Sequence, residues 1–268
     1  MNILVCAKQV LDPEGVNSYA LWGRLSVDES GRNFDTGGTI PHIVNAYDEQ
    51  ALEAALRIRD TGVDCSITVA TVGAKDAKTM LRRGVAMGAD HAIEVSSNES
   101  GTDGFQTAMI IANLVRELRN IDLVICGRQG SDFDQGTVPA ALAEHLDWPY
   151  VTMASNVSIE GDALRVTRVT PRGEEIVETK TPTVVAVSNE IGQTRYPSSR
   201  LMMAARRMEH QVMDVSELLS EQFEGGVELI KLFVPELQGQ CVVLDGDSPE
   251  AKAALLLNHL AEAGVLDG

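Results

Sequence analysis

Residues 121 to 146 read IDLVICGRQGSDFDQGTVPAALAEHL, and this stretch decides the fold. Its first six residues form an apolar run of the length expected for a buried strand. Residues 138 to 146 follow as a predicted helix, and the polar segment between them holds three glycines. A strand, a glycine-rich turn and a helix in this order are typical of an α/β domain with crossover helices.

The same alternation occurs upstream. Apolar runs predict strands, and segments with helical spacing of their apolar residues follow them. The predicted strands are Ile3 to Val10, Cys65 to Val72, Ala92 to Val95 and Ile121 to Cys126. Residues 11 to 41 are predicted to be irregular, with one small hairpin around Gly31. Because alternating strands and helices favour parallel pairing, we predict a Rossmann-like, doubly wound, mostly parallel sheet.

The pattern changes after Pro149. Residues 151 to 187 predict short strands separated by turns, and their polar-apolar alternation favours antiparallel pairing with one exposed face. A short helix is predicted from Ser199 to Met208. We therefore place an α/β domain with an antiparallel extension at residues 1–208. Residues 209–268 form a predicted C-terminal arm that packs either on a partner or on its own domain.

The composition disfavours several classes of protein. The chain has 268 residues, 44% of them hydrophobic, and a formal net charge of −17. This charge argues against general binding to nucleic acid or to anionic membranes. Four scattered cysteines form no CxxC pair, so neither a disulfide framework nor a metal site is indicated. No signal-peptide pattern and no apolar stretch of roughly 20 residues occur, so we expect a cytoplasmic protein without membrane insertion.

The glycine-rich turn carries the strongest signal for a binding site. Ligands of doubly wound sheets bind at the carboxyl ends of the strands, near the point where the strand order reverses. Gly127, Gly130 and Gly136 allow the backbone to approach a ligand closely. The N-terminus of the following helix attracts an anion, and Arg128 is suited to phosphate. Alternatively, this is an ordinary loop whose glycines shape turns and whose acids cap the helix.

Several polar residues of the predicted site have two interpretations. Asp132 and Asp134 accept hydrogen bonds from a ribose or from backbone amides. Lys8 lies at the end of the first strand and either faces a phosphate or stays solvated. Asn45 opens a helix and either contacts a base or ribose or caps that helix.

No catalytic constellation is evident. The chain has no GxGxxG fingerprint, no P-loop and no GxSxG nucleophile motif. Its five histidines are scattered, without a cysteine or acid at metal-ligand spacing. A pocket without an evident catalytic residue favours a binding or carrier role over an enzyme.

A basic segment, Arg195 to Met208, stands out in this acidic chain. It combines arginines with Leu201, Met202 and Met203. Methionine beside arginine suits a protein-docking surface. A helix with a buried methionine stripe and a solvated basic face is an equal alternative.

Six segments share the order and spacing of one known family. They are ILVCAKQV at 3–10, VNAYDEQALE at 44–53, LRRGVAMGAD at 81–90, DLVICGRQ at 122–129, AEHLDWP at 143–149 and RYPS at 195–198. Together they resemble the beta subunit of electron transfer flavoproteins over residues 1 to about 208. Each segment is weak alone, but the set is specific.

The resemblance implies an adenine-nucleotide-binding fold and a heterodimer with an alpha subunit, on which the C-terminal arm would pack. It also implies electron transfer through FAD between an acyl-CoA or other dehydrogenase and an acceptor. In this family the alpha subunit mainly carries FAD, and the beta subunit binds AMP or, in electron-bifurcating members, a second FAD. Carried over by position, the nucleotide-contacting residues are Cys6, Ala7, Lys8, Asn45, Ala46, Tyr47, Asp48, Val72, Gly127, Arg128, Gln129, Gly130, Ser131, Asp132, Phe133, Asp134, Gln135, Gly136, Thr137 and Val138.

Two positions depart from the family pattern. Phe133 stands where a small residue is usual, so it would stack on a ring or narrow the nucleotide pocket. Ser199 stands where the family's docking loop carries a leucine, and Leu201 is the candidate substitute. The docking residues that the resemblance implies are Arg195, Tyr196, Ser199, Leu201 and Met202.

The same residues leave two alternative functions. One is an adenine-nucleotide-binding regulatory module without redox function, which would be colourless. The other is an adenylyl-transfer enzyme on a related fold, which the absence of SGGxDS and HxGH motifs disfavours.

Overall fold

A nine-stranded sheet runs through the first of two units in the computed structural model. The units are Met1–Phe233 and Val234–Gly268. The structure describes residues 1–73, 76–96, 103–219, 226–227, 229–234 and 241–266.

The strands are short, as the sequence indicates. In chain order they are β1 (Asn2–Cys6), β2 (Gln9–Leu11), β3 (Ser26–Val27), β4 (Phe34–Asp35), β5 (His42–Val44), β6 (Ser66–Val72), β7 (His91–Ser96), β8 (Leu123–Gly127), β9 (Tyr150–Glu160), β10 (Ala163–Thr170), β11 (Gly173–Thr179), β12 (Thr183–Val187) and β13 (Gln211–Asp214). The helices of the first unit are α1 (Pro13–Leu21), α2 (Ala46–Asp60), α3 (Ala77–Met87), α4 (Gly104–Leu118), α5 (Thr137–Leu146), α6 (Ser199–Arg206) and α7 (Val215–Leu218), with a 3₁₀ turn at Asn189–Ile191.

The order of the strands places a switch point at β1. The large sheet reads β11-β10-β9-β12-β8-β1-β6-β7-β13, and β1 pairs in parallel with both β6 and β8. The chain first builds outward from β1 through β6 and β7. It then crosses to the other side of β1 and adds β8. The switch-point crevice, where ligands of this class of sheet bind, is therefore expected between the carboxyl ends of β1 and β8.

Two apolar layers cover the sheet. On one face, α2 and α3 pack on Ile3 and Val5 of β1. On the other face, α4 and α5 pack on Leu4 and Cys6. All five residues of β8 are buried, which is what its unbroken apolar run predicts for a central strand covered on both faces. Each large apolar side chain buried in this way contributes about 1.5–3 kcal/mol.

The predicted fold class is confirmed. The central sheet is mostly parallel, and β9, β10 and β11 form an antiparallel extension at one edge. The hairpin predicted around Gly31 is present as the antiparallel pair β3–β4.

Four features differ from the sequence prediction. The predicted strand Ile3 to Val10 is interrupted at Ala7 and Lys8, so that it forms β1 and β2, which belong to different sheets. The stretch 11–41, predicted to be irregular, contains α1, which Asp12 caps by accepting the Glu14 amide. It also leads into β5, which pairs with β2. The predicted domain boundary after Met208 falls before β13, which pairs with β7 at the sheet edge. Because β13 has only four residues and is half exposed, its pattern is too short to identify as a strand.

The second unit contains one helix, α8 (Pro249–Glu262), among its described residues. Ser248 caps it by accepting the amide of Ala251. None of its residues is buried, and Leu255, Leu256 and Leu257 are exposed. Packing of this arm on an alpha subunit stays a prediction.

Candidate functional site

One carboxylate joins the two strand ends that border the crevice. Asp48, in the first turn of α2, accepts the backbone N–H of Lys8 through Oδ2 at 2.7 Å and that of Gly127 through Oδ1 at 3.1 Å. Lys8 lies two residues beyond the end of β1, and Gly127 is the last residue of β8. Near them, Cys6 and Cys126 are register partners in the sheet. Asp48 therefore fixes the spacing of the crevice walls.

Burial governs the charge of Asp48, which is only 7% exposed. Loss of solvation raises the pKa of its carboxyl group to about 7, and the hydrogen bonds from Lys8, Asn45 and Gly127 oppose that rise. The carboxylate therefore changes charge near neutral pH.

Gly127 is required by the packing of α2. A Cβ atom at this position would lie 2.4 Å from Oδ1 of Asp48 and 2.7 Å from the carbonyl carbon of Tyr47. The glycine expected to let a ligand approach thus also lets a helix N-terminus approach the strand end.

Asn45 holds the glycine-rich loop. Its side chain is 1% exposed; Nδ2 donates to the carbonyl of Gln129 at 2.8 Å, and Oδ1 accepts the amide of Ser131 at 3.2 Å. It occupies the N-cap position of α2 but makes no side-chain capping bond. Of its two predicted roles, helix capping by the side chain is therefore wrong, and contact with a nucleotide stays a prediction.

The tip of the loop is tied to β1 by an ion pair. Nζ of Lys8 lies 2.7 Å from Oδ2 of Asp132 and 5.4 Å from the centre of the Phe133 ring. Oδ1 of Asp132 also accepts the amide of Phe133 at 2.9 Å. Lys8 is therefore not simply solvated, and Phe133 is presented at the tip with 55% of its surface exposed.

The loop leads into a helix end that no side chain caps. Gly136 is the N-cap of α5 with φ 63°, and its helix has no side-chain capping bond and no acid in its first turn. Asp134 instead accepts Nε2 of Gln129 at 2.7 Å. The predicted capping role of the two loop acids is wrong, because no side chain caps the N-terminus of α5.

Arg128 projects a guanidinium group with weak direct contacts, and one carboxylate lies within electrostatic range: a hydrogen bond from the Ser188 side chain and, more weakly, the charge of Arg128 lower the pKa of Glu190. Nη1 lies 3.7 Å from Sδ of Met153, and Cζ lies 5.2 Å from the centre of the Tyr47 ring. Nε is buried without a hydrogen-bond partner. None of the ion pairs in the described part of the chain includes Arg128. Its charge is therefore not neutralised by a direct carboxylate contact.

The structure brings together most of the residues predicted for nucleotide contact. The ends of β1 and β8, the first turn of α2 and the loop before α5 meet around Asp48 and Asn45. Val72 lies farther along the sheet, at the end of β6 and next to β7. Gln135 is exposed on the loop.

Arg195, predicted as a docking residue, is anchored on α2. Its Nε lies 2.8 Å from Oε2 of Glu53, and Nη2 lies 2.7 Å from Oδ2 of Asp60. Burial opposes ionisation of Glu53, but the Arg195 hydrogen bonds prevail and lower the pKa of that carboxyl. The same bonds raise the pKa of Arg195. Arg195 thus fixes the base of the predicted docking segment.

The rest of that segment is open to solvent. Tyr196 is 83% exposed, with the guanidinium of Arg83 5.7 Å from its ring centre. Ser198 caps α6 by accepting the amide of Leu201, so Ser199 begins the helix. Leu201 and Met202 are exposed, as is Met203. Met202 and Met203 therefore do not form the buried stripe of the alternative interpretation, whereas Met208, beyond α6, packs against the core.

Sequence reasoning did not find two residues that shape this region. Glu53 was detectable, because it interrupts the apolar residues of α2 and is buried there. Met153 carries no such signal, since its contact with Arg128 depends on the tertiary fold.

The described part of the chain has no group of three or more His, Cys, Asp or Glu side chains placed to hold a metal ion. Among the described helices, none has both the length and the apolar character needed to span a bilayer.

Fold and site define a doubly wound α/β protein with a glycine-rich loop and a helix N-terminus without a side-chain cap next to its switch point. The profile of the electron transfer flavoprotein domain family matches residues 39–218. The electron transfer flavoprotein subunit beta of Thermoanaerobacterium thermosaccharolyticum is 35% identical over 85% of this chain and 84% of its own length. That of Clostridium acetobutylicum is 32% identical over 98% of both chains. The caffeyl-CoA reductase-Etf complex subunit CarD of Acetobacterium woodii is 30% identical over 99% of this chain and 100% of its own.

This chain therefore belongs to the electron transfer flavoprotein family, among the beta subunits. The resemblance predicted from the six segments is confirmed, and the function that the family defines is electron transfer.

Proposed function

We propose that the chain is the beta subunit of a heterodimeric electron transfer flavoprotein and that its crevice binds the phosphate end of an adenine nucleotide. The nucleotide is AMP or the adenylate part of a second FAD. The main FAD is carried by the alpha subunit, and electrons pass through flavin between a dehydrogenase and an acceptor.

The guanidinium of Arg128 carries this proposal. The guanidinium of Arg128 is half-buried, its Nε has no hydrogen-bond partner, and no carboxylate contacts it directly. Binding of an anion would compensate the cost of burying this charge. Arg128 follows β8 directly and shares a loop with the uncapped amides of α5. Phosphate oxygens accept from guanidinium and amide groups alike, so the residues present fit the group.

Each part of the crevice has a distinct role in this proposal. Asp48 and Asn45 hold the strand ends and the loop in place, so the donors are preorganised. Arg128 and the α5 amides bind the phosphate. Flavin, when bound, supplies the electron-transfer chemistry, and the protein contributes binding, orientation and electrostatics.

The partner in electron transfer is proposed to dock on α6. Leu201, Met202 and Met203 form an exposed apolar surface beside Tyr196 in a chain that is otherwise strongly charged. A dehydrogenase fits this role, and the relative CarD bears the name of a caffeyl-CoA reductase-Etf complex.

The nucleotide content of the heterodimer tests the crevice. The complex purified with its alpha subunit is expected to release, on denaturation, one FAD together with one AMP or a second FAD. Arg128→Ala is expected to weaken binding of the beta-subunit nucleotide about 10- to 100-fold, because a charge-assisted hydrogen bond contributes about 1.5–3 kcal/mol. The measurement is chromatographic quantification of AMP and FAD, with dissociation constants by calorimetry.

Arg172→Ala is the matched control, since Arg172 is exposed in the turn between β10 and β11. Its nucleotide content should equal that of the wild type. A complex without flavin would refute the carrier function, and undiminished nucleotide in Arg128→Ala would remove Arg128 from the site.

Replacing Leu201 by aspartate tests the docking surface. We expect kcat/KM for reduction by the dehydrogenase to fall about tenfold, because a charge at an apolar contact is desolvated on docking. Bound flavin should be unchanged, as measured by absorbance. Ile176→Asp is the control, because Ile176 is also an exposed apolar residue but lies on β11. Equal rates for wild type and Leu201→Asp would place docking elsewhere.

A further inference from the structure

The backbone of β9 is strained at Met153. Its φ is 60°, a left-handed conformation that residues with an unbranched apolar side chain seldom adopt. The pairing of β12 with β9 also shifts here: Val185 is opposite Val151, but Val187 is opposite Ala154. One extra residue is thus accommodated in β9 as a β-bulge. Bulges and strained residues of this kind recur at functional sites, where they aim a side chain.

The side chain that the bulge aims contacts Arg128. Sδ of Met153 lies 3.7 Å from Nη1 of Arg128, while the Tyr47 ring lies 5.2 Å from Cζ. The backbone of Arg128 is fixed as well, since its N–H donates to the carbonyl of Val187 at 2.9 Å. The guanidinium is therefore contacted by a thioether and an aromatic ring.

A thioether holds a cation without neutralising it. Sulfur is a weak acceptor, and a carboxylate in its place would form an ion pair that competes with any incoming anion. The aromatic ring likewise attracts the guanidinium while leaving its charge in place. The pair of contacts restricts the orientation of the group and keeps its charge for a ligand.

We propose that Met153 is a positioning residue: the bulge in β9 presents its thioether to the guanidinium of Arg128, which is thereby oriented for the phosphate of an adenine nucleotide. This inference rests on the proposed function of the crevice.

Two substitutions of Met153 test this positioning role, because they affect the backbone strain and the contact with Arg128 differently. Met153→Gly relieves the left-handed backbone and removes the thioether, and Met153→Leu keeps the apolar bulk without the sulfur. In the heterodimer stripped of nucleotide, AMP and FAD are titrated by calorimetry. Met153→Gly is expected to bind about tenfold more weakly and Met153→Leu about threefold more weakly. The thermal midpoint of Met153→Gly should not fall, because relief of strain offsets lost packing.

A double-mutant cycle decides whether Met153 acts through Arg128. In the Arg128→Ala background, Met153→Gly should change affinity less than twofold. Asp147→Gly is the control for strain, since Asp147 has φ 54° at the opposite end of α5. It should leave affinity unchanged.

Three results would overturn the inference. Unchanged affinity in Met153→Gly while Arg128→Ala weakens binding refutes positioning and leaves the proposed function intact. If Met153→Gly lowers nucleotide affinity equally in the wild-type and Arg128→Ala backgrounds, Met153 does not act through Arg128. No binding of AMP or FAD by the wild-type complex refutes the proposed function, and this inference with it.

Discussion

Gly127→Ala is expected to lower the free energy of unfolding by about 3 kcal/mol or more, the upper range for an overpacked core. The added Cβ would lie 2.4 Å from Oδ1 of Asp48 and 2.7 Å from the Tyr47 carbonyl carbon. The carboxylate is fixed by two amides, and the Tyr47 atom belongs to the helix backbone, so neither can move without loss of a contact. Urea unfolding monitored by circular dichroism gives the change.

Gly226→Ala is the matched control. Its Cβ would make an ordinary contact of 3.6 Å with the Phe105 ring, and its φ is not left-handed. Its unfolding free energy should stay within about 0.5 kcal/mol of the wild type. A Gly127→Ala variant that is equally stable would mean that α2 is not held against the end of β8.

The parallel sheet could be predicted from the sequence because the pattern that indicates it is local. The apolar run of β8 and the helix after the glycine-rich turn predict a strand–turn–helix unit, and parallel pairing follows from repetition of that unit. The elements that were missed have weaker local signals. β13 is stabilised by its pairing with β7 at the edge of the sheet, and four half-exposed residues cannot indicate such a partner.

The position of the candidate site could be predicted from the sequence, but the contacts that its residues make could not. The sequence predicts that Gly127 lets a ligand approach, and in the structure this glycine also makes room for α2. The sequence predicts that Asn45 caps α2 or contacts the nucleotide, whereas its side chain holds a loop 84 residues away. The bonds of Asp48 to Lys8 and Gly127 span 40 and 79 residues. Such pairings depend on the strand order around the switch point, which the local pattern does not specify.

Asp48→Asn is expected to change how stability depends on pH. In the folded chain, burial raises the pKa of Asp48 from 3.8 to about 7. Between these two pKa values the folded state holds a proton that the unfolded state has lost. The contribution of Asp48 to the free energy of unfolding is therefore greatest below about pH 4 and decreases as the pH rises to 7. Between pH 5 and pH 7.5 that loss amounts to about 2.5 kcal/mol, from 1.36 kcal/mol for each pKa unit.

An asparagine side chain at position 48 does not ionise, and it keeps one hydrogen-bond acceptor, its carbonyl oxygen. At pH 5 the variant should be less stable than the wild type by about 1–3 kcal/mol, because its amide group cannot accept both the Lys8 and the Gly127 N–H. Since the wild type alone loses stability as Asp48 ionises, the difference should close as the pH rises to 7.5. Urea unfolding of both proteins across this range gives the difference directly, and Asp162→Asn, in an exposed turn, serves as the control. A difference that stays constant with pH, or widens, would show that Asp48 is already ionised at pH 5 and that its two amide hydrogen bonds outweigh its burial.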